Sequence, residues 1–390
     1  MNLWLTRVVA RPALLAGLVL GGCGSPDPVG SRPTVTDSAG ITTVTHHSID
    51  DSLDPADAER TVLGAGTAAA EAFYRVRAGV LLGDSGAVVA NAGTGELLFF
   101  GADGALRTSF GREGQGPEEF SNLFQLQGMP DGSVVASDPG NRRLSWIDAG
   151  GRLLVSRTIT FEPEDVDLTR AIVGPGYTFG VTTAGDVVTV PWARATYSGS
   201  EGALPLKGEL RRYVPDLSDH VVLDSVLLRT WFEQPRSNGP PIGNVLGSPV
   251  LVHSANREWI AYSEGTHHRI DVLEEGARAY VIEESRGRTP FEPDSVPAGY
   301  HHAVDSLPSY SDLIVDSDGR IWVRGGTPDA SPTAEWRVFS ERGSRAQRVT
   351  LPASSRVLDA SAGDLLVLER SDLDVERVVL YSLVAADLPR

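Results

Sequence analysis

The stretch GDSGAVVANAGTGELLFF, residues 83–100, decides the fold of this chain. A glycine turn leads into a β-branched run, and a polar turn then leads into a second run of strand-forming residues. Such runs, bounded by Gly, Asp, Asn and Ser, predict short β-strands joined by tight turns. The pattern recurs at intervals of roughly 45 to 70 residues, a period typical of propeller blades. The other five copies begin at Pro130, Ala184, Arg257, Asp318 and Ala362.

Six repeats of about four strands each predict an all-β, six-bladed β-propeller whose inner strands line a central channel. The last copy offers strands over residues 357–361, 365–369 and 376–383, and it lacks an outer strand. The strand-like segment Ile41–His46 has no partner of its own. We therefore expect this N-terminal strand to complete blade six and close the ring, because closure removes two exposed sheet edges.

Three repeats carry a resemblance to a known family. FGREGQGPEEF at residues 110–120 and VVASDPGNRRLSWIDAGG at 134–151 closely resemble the NHL repeat. YSDLIVDSDGRIWVR at 310–324 fits the same pattern and looks like the six-bladed propeller lipoproteins of some bacteria. Within this motif we expect Phe110 and Phe120 to pack as an aromatic pair between neighbouring sheets. We expect Asn141 and Arg142 to cap the turn.

The N-terminus has the features of an export signal. Arg7 and Arg11 supply positive charge, and Val8–Leu20 is mostly apolar but too short to span a bilayer comfortably. It ends in Leu-Gly-Gly-Cys, which resembles the lipobox of bacterial lipoproteins. That resemblance implies a signal peptide over residues 1–22 and lipidation of Cys23; the alternative is an ordinary secretory signal with a chance cysteine.

The domain boundaries follow from this interpretation. Residues 23–36 are expected to comprise the lipidated cysteine and a flexible tether, since Gly, Ser and Pro dominate them. The propeller is expected over residues 37–390. In the lipoproteins that the chain resembles, Asp after the cysteine retains the product at the inner membrane. Gly24 therefore favours a cell-envelope location at the outer membrane, facing the periplasm or the exterior.

Composition narrows the classes of partner. The formal net charge is −17, which disfavours binding to nucleic acid. Cys23 is the single cysteine, so no intramolecular disulfide can form. We expect a monomer attached to the membrane through its lipid, with a protein or glycan as partner.

Three connections are longer than a propeller needs: residues 191–208, 228–249 and 285–309. Long loops in compact domains are usually functional or disordered, and we expect all three on the face that carries the crossovers between blades. Aromatic and arginine side chains there suit a planar, glycan-like or carboxylated ligand. The alternative is that the aromatics fold back as lids over the blades. The candidate ligand-binding rim comprises Trp192, Arg194, Tyr197, Trp231, Arg236, Arg288, Tyr300, His301 and His302.

Metal and nucleophile chemistry has little support in the sequence. Adjacent histidines on a strand point to opposite faces, so the pair His46–His47 cannot chelate one ion from regular β-structure. Inner-strand acids that could hold Ca²⁺ or Zn²⁺ at the channel mouth are Asp312, Asp316 and Asp359. Glu283–Glu284 is interpreted as a solvated pair. We predict no catalytic residue, no metal site and no cofactor, with Ca or Zn left open.

Two functions remain. NHL-type propellers commonly bind ligands or proteins, so the resemblance implies a lipid-anchored binding module that uses its loop-rich face. The alternative is a metal-assisted hydrolase or lyase of the six-bladed type with its site at the channel mouth. A purely structural envelope protein would leave the three long connections unexplained.

Overall fold

Strands dominate the chain because its β-branched and aromatic runs are cut into short lengths by glycine and aspartate turns. The computed structural model describes residues 32–55, 58–66, 73–83, 86–159, 171–195, 202–234, 242–246, 250–254, 259–265, 267–287, 309–325, 331–361, 363–383 and 388–389. No helix among these residues has the length and apolar character needed to cross a membrane.

The strands form six small sheets, which are the six blades of a β-propeller. Four N-terminal strands come first: Thr34–Ser38 (β1), Ile41–His46 (β2), Ser52–Leu53 (β3) and Glu59–Val62 (β4). Blade one contains Val76–Leu81 (β5), Ala87–Asn91 (β6), Glu96–Phe100 (β7) and Leu106–Phe110 (β8). Blade two contains Gln125–Gly128 (β9), Val134–Asp138 (β10), Arg143–Ile147 (β11) and Leu153–Thr158 (β12).

The remaining blades follow in chain order. Blade three contains Ala171–Val181 (β13), Val187–Ala195 (β14), Gly202–Tyr213 (β15), His220–Gln234 (β16) and Ile242–Leu246 (β17). Blade four contains Val250–Ser254 (β18), Trp259–Ser263 (β19), Arg269–Glu274 (β20) and Ala277–Glu284 (β21). Blade five contains Tyr310–Val315 (β22), Ile321–Gly325 (β23), Thr333–Phe339 (β24) and Ala346–Pro352 (β25). Blade six contains Arg356–Ala360 (β26), Asp364–Arg370 (β27) and Glu376–Ser382 (β28).

The core lies between adjacent blades. Buried side chains of blades one and two form one cluster, and further clusters join blades two and three, four and five, five and six, and six and one. The predicted aromatic pair is confirmed, because Phe110 and Phe120 are buried with ring centroids 6.1 Å apart. Asn141 caps its turn as expected, since its amide donates to the carbonyl of Gly114 at 3.0 Å.

Closure of the ring is confirmed, but by a different segment from the one predicted. β4 pairs antiparallel with β28 and completes blade six. β2, the segment Ile41–His46, pairs in parallel with β21 on blade four, and β3 pairs in parallel with β25 on blade five. The assignment of Ile41–His46 to blade six was wrong because a complete four-stranded blade still offers an unpaired outer edge. The N-terminal segment thus covers the outer edges of three successive blades.

Candidate functional site

The first strands of the blades, β5, β9, β13, β18, β22 and β26, form the inner ring. Because each blade is an antiparallel meander, its crossover to the next blade and its second-to-third turn emerge on the same face. We call this the loop-rich face. The inner strands begin at this face, so Arg356 at the start of β26 and Tyr310 at the start of β22 lie beside it.

Arg356 connects the inner strands of three successive blades. Its Nε donates to Asp312 Oδ2 of blade five at 3.0 Å. Its Nη1 donates to the backbone carbonyl of Arg77 in blade one at 3.2 Å. Arg324, on the strand next to Asp312, donates from Nη2 to the carbonyl of Ala353 at 2.9 Å. We call Arg77, Asp312, Arg324 and Arg356 the mouth cluster, because these contacts join them beside the loop-rich face.

The mouth cluster is locally basic in an acidic protein. The guanidiniums of Arg324 and Arg356 share the one carboxylate of Asp312, whereas the whole chain has a formal net charge of −17. Burial lowers the pKa of Arg324 below its usual value; Asp312 opposes this shift, and the charge of Arg356 adds to it. An arginine remains charged at neutral pH even so. The cluster can therefore attract and hydrogen-bond an anionic group at the channel entrance.

Two exposed aromatic side chains stand at the same end of the inner strands. Tyr74, 61% exposed, precedes β5, and Phe124, 37% exposed, precedes β9. The backbone of Tyr74 is fixed, because its N–H donates to Asn91 Oδ1 at 2.8 Å and its carbonyl accepts from Gly93 N at 2.9 Å. Exposed aromatic rings held in this way offer apolar faces for stacking.

The predicted rim residues fall into two groups. Trp192 and Arg194 lie on β14 and Trp231 lies on β16, where Trp192 pairs with Gly174 and Trp231 with Leu204. These positions were expected in long loops, but the strands of blade three continue through Pro191 and Pro205 toward the loop-rich face. The rim residues that lie outside the described residues are Tyr197, Arg236, Arg288, Tyr300, His301 and His302.

The acids considered for a metal do not converge. Asp312 is paired with Arg356 at the loop-rich end of the channel. Asp316, near the opposite end, accepts from Arg320 Nε at 2.6 Å and from Trp322 Nε1 at 2.9 Å. Asp359, also near that end, accepts from the backbone N–H of Leu81 at 2.7 Å. Among the described residues, no three His, Cys, Asp or Glu side chains are grouped to hold a metal ion, and these acids do not fit one.

The first histidine pair behaves as its strand geometry predicts. His46 is buried, and its Nε2 lies 2.7 Å from the carbonyl oxygen of Gly343. His47 is exposed, with Nε2 at 2.8 Å from Thr34 Oγ1. The two rings therefore lie on opposite faces.

Sequence reasoning missed most of the mouth cluster. Arg77, Arg324 and Arg356 look like ordinary solvated strand residues, because their partners are distant in sequence. Arg324 closes the DGRIWVR copy, so its place at a blade's channel end could have been inferred from the repeat. Asp312 was found, but as a metal ligand rather than as the partner of an arginine.

Solved structures share this fold. A Bacteroides fragilis protein thought to be exported aligns with a TM-score of 0.52 and 10% identity, over 88% of this chain and 99% of that one. A member of the DUF4221 family from Bacteroides vulgatus aligns with a TM-score of 0.50 and 8% identity, over 90% and 98%. Virginiamycin B lyase from Staphylococcus aureus gives a TM-score of 0.42 and 10% identity, over 84% and 99%.

Identities this low show the propeller fold alone. No protein-family model matches the chain, and the comparison with curated proteins gave no match.

Proposed function

We propose that the protein is an exported, lipid-anchored propeller of the NHL type that binds an acidic glycan at the mouth cluster. The observation that carries the proposal is the pair of guanidiniums, Arg324 and Arg356, beside the single carboxylate of Asp312 in a chain of negative net charge. Arginine recognises carboxylates through paired, charge-assisted hydrogen bonds. The surrounding negative charge of the protein limits non-specific binding of longer polyanions.

The aromatic residues beside the mouth cluster support a sugar ligand. Tyr74 precedes β5, the strand of blade one that contains Arg77, and Phe124 precedes β9 of the neighbouring blade two. A sugar ring packs its apolar face on an aromatic ring while its carboxylate reaches a guanidinium. The rim residues Trp192, Arg194 and Trp231 belong to the long strands of blade three. We regard these as contacts to the remainder of the glycan.

Calorimetric titration of the unlipidated protein with trigalacturonate tests the proposal. We expect saturable binding that weakens as salt is raised, and no binding of the neutral maltotriose. Arg324→Gln and Arg356→Gln should each weaken binding about tenfold or more, because each removes a charge-assisted hydrogen bond to the ligand. Arg152→Gln is the control, since Arg152 is exposed on blade two and pairs with Asp148. Absence of binding, or equal binding by all three variants, would refute the proposal.

The metal-assisted hydrolase or lyase is tested by elemental analysis after exhaustive dialysis. The described acids are already paired with arginine, tryptophan or backbone donors, so we expect no stoichiometric metal. About one bound Ca or Zn per chain would replace the binding proposal with the enzymatic one.

The proposed anchor and oligomeric state have separate tests. Cys23→Ala should release the protein from membranes, and continued tight association would exclude lipidation at that cysteine. Size-exclusion chromatography of the unlipidated chain should give a monomer.

A further inference from the structure

A cavity that is separate from the mouth cluster lies between blades four and five. Its volume is about 310 Å³, at the lower end of the range for small-molecule sites. The N-terminal segment that leaves β2, residues 46–50, forms one wall, and we call this segment the strap. Glu284 and Arg286 mark the end of blade four. Blade five supplies the other charged lining residues: Glu335, Arg337 and Arg348.

The floor of this cavity is a buried ion-pair network. Glu284 was interpreted from sequence as a solvated charge, but its side chain is only 6% exposed. Its Oε1 accepts from the hydroxyl of Tyr310 at 2.7 Å, and its Oε2 accepts from Arg337 Nε at 2.9 Å. Arg337 also donates to Glu335. Two carboxylates and one guanidinium are thereby fixed at the base of the cavity.

The guanidiniums of the cavity retain unused donors. Arg337 is 2% exposed, yet its Nη1 has no hydrogen-bond partner among the described residues, and the same holds for the buried Nε of Arg348. Arg286 approaches Glu284 and Glu335 only at 3.6 and 3.9 Å, beyond hydrogen-bonding distance. Arg348 likewise approaches Glu335 at 3.9 Å. Buried donors without partners are costly, so they mark a place for an acceptor that a ligand supplies.

Gly325 allows Arg337 to hold its place beneath the cavity. A Cβ at this position would lie 2.7 Å from Arg337 Nη1 and 3.7 Å from Arg286 Nη2. Because 2.7 Å is closer than such atoms approach, any side chain there would displace the Arg337 guanidinium and the donor that it offers.

The charges of the cavity select the ligand. Three guanidiniums and two carboxylates line the floor, and Asp50 on the strap, which accepts from Ser48 Oγ at 3.1 Å, adds an exposed third carboxylate at the wall. Burial lowers the pKa of His46, so its ring adds no further charge near neutral pH. Glu335, with 38% of its side chain exposed, retains oxygen lone pairs that can accept from hydroxyl groups. A carboxylate that accepts from the unmet guanidinium donors, accompanied by hydroxyl donors for Glu335, matches both features.

We propose that the cavity under the strap is a binding site for a hydroxylated monocarboxylate of about monosaccharide size. Its carboxylate accepts from Arg286, Arg337 and Arg348, and its hydroxyls donate to Glu335. A dianion would meet Glu284 and Glu335 with no balancing charge, and a neutral sugar would leave the guanidinium donors unmet.

Titration with glucuronate, glucose and inorganic phosphate tests this site. Glucuronate should bind with saturation and one-to-one stoichiometry, glucose should not bind, and phosphate should bind more weakly than glucuronate. Arg348→Gln should weaken glucuronate binding about tenfold or more. Gly325→Ala should abolish it without removing any charge.

Matched controls separate loss of the site from loss of the fold and from the mouth cluster. Gly287→Ala makes the same substitution where a Cβ meets nothing within 4 Å, so it should bind like the unmodified protein. Arg356→Gln should leave glucuronate affinity unchanged while it weakens trigalacturonate, which keeps the two proposals distinguishable. Failure of glucuronate to saturate, unchanged binding in both Arg348→Gln and Gly325→Ala, or phosphate binding as tight as glucuronate would overturn the inference.

Discussion

The two halves of the ring differ in what lies on their outer edges. In blades four, five and six, the outermost blade strand pairs with an N-terminal strand, β2, β3 or β4. In blades one and two, no further strand of the described residues pairs with β8 or β12. The covered blades also hold the cavity under the strap and three of the four residues of the mouth cluster.

This contrast separates the blades that form a regular scaffold from the blades that contain the proposed binding sites. Blades one and two are four-stranded sheets, and the glycine-rich crossover between them is held by its own ion pair, Arg112 with Glu119, and by a bond from Asn141 of blade two to Gly114. Blades four and five exceed four strands because the N-terminal strands β1, β2 and β3 are added to them, whereas β4 brings blade six to four. Charged side chains that would face solvent in an isolated blade, such as Glu284 and Arg337, are buried there. A buried charge requires a partner, which a ligand can supply.

The largest effect should come from removing the N-terminal strands. Deletion of residues 32–62 removes β4, opens the ring and leaves three outer edges unpaired. We expect a loss of stability comparable with that of a whole domain, about 5–15 kcal/mol, so that cooperative unfolding disappears. Deletion of residues 32–47 spares β4 and should leave a folded protein with a lower melting temperature. Equal thermal unfolding of the intact chain and the longer deletion would show that β4 does not close the ring.

A smaller effect is expected where inner strands of neighbouring blades are joined. Asp359 of blade six accepts from Leu81 N, and Gln127 of blade two both donates to Val181 O at 2.6 Å and accepts from Val181 N at 2.8 Å. Burial raises the pKa of Asp359 to about 7, against roughly 4 for an unfolded aspartate. Between these values the folded state binds more protons, so the free energy of unfolding falls as pH rises from 4 to 7.

Urea denaturation across this pH window measures the difference. Asp359→Asn should flatten this part of the pH dependence and stabilise the protein by a few kcal/mol at pH 8, because no charge remains to be buried. Gln127→Glu, at the junction of blades two and three, should instead destabilise the protein by about 1–3 kcal/mol at neutral pH, because it removes a hydrogen-bond donor and buries a charge. An unchanged pH dependence in Asp359→Asn would mean that this carboxyl is ionised in the fold at acidic pH.

The smallest expected effect is the difference in stability lost when one valine on each half of the ring is truncated to alanine. Val44 on β2 is 4% exposed and Val155 on β12 is 39% exposed. Val44→Ala should cost about 2 kcal/mol, because it removes buried methyl groups and leaves a cavity. Val155→Ala should change stability by less than about 0.5 kcal/mol. Equal costs, measured by chemical denaturation, would mean that β2 does not cover blade four.

Local signals were enough to predict the blades. Glu96–Phe100 is a strand with the bounds read from the sequence, because a glycine turn sits at each end. The same holds within one or two residues for the strands of blade six. Turn chemistry acts over a few residues and is therefore visible in a single sequence.

Pairing between distant segments could not be predicted in this way. Nothing in the residues Ile41–His46 distinguishes the edge of blade four from that of blade six, since both accept a β-branched strand. The bond from Arg356 to Arg77 spans 279 positions and depends on ring closure. The cavity under the strap depends on the pairing of β2 with blade four and on the closed ring. The sequence around Glu284 and Arg337 therefore does not indicate a site until the position of the strap is known.

Hydrogen–deuterium exchange, with and without trigalacturonate and glucuronate, tests most directly whether the ligands bind on the covered half. We expect trigalacturonate to protect the start of β26 and its neighbours β22 and β5, and glucuronate to protect the end of β21 and the strap. The outer strands β8 and β12 should exchange equally in all samples. Protection confined to β8 and β12, or no protection at ligand concentrations that saturate the titrations, would contradict the assignment of both sites.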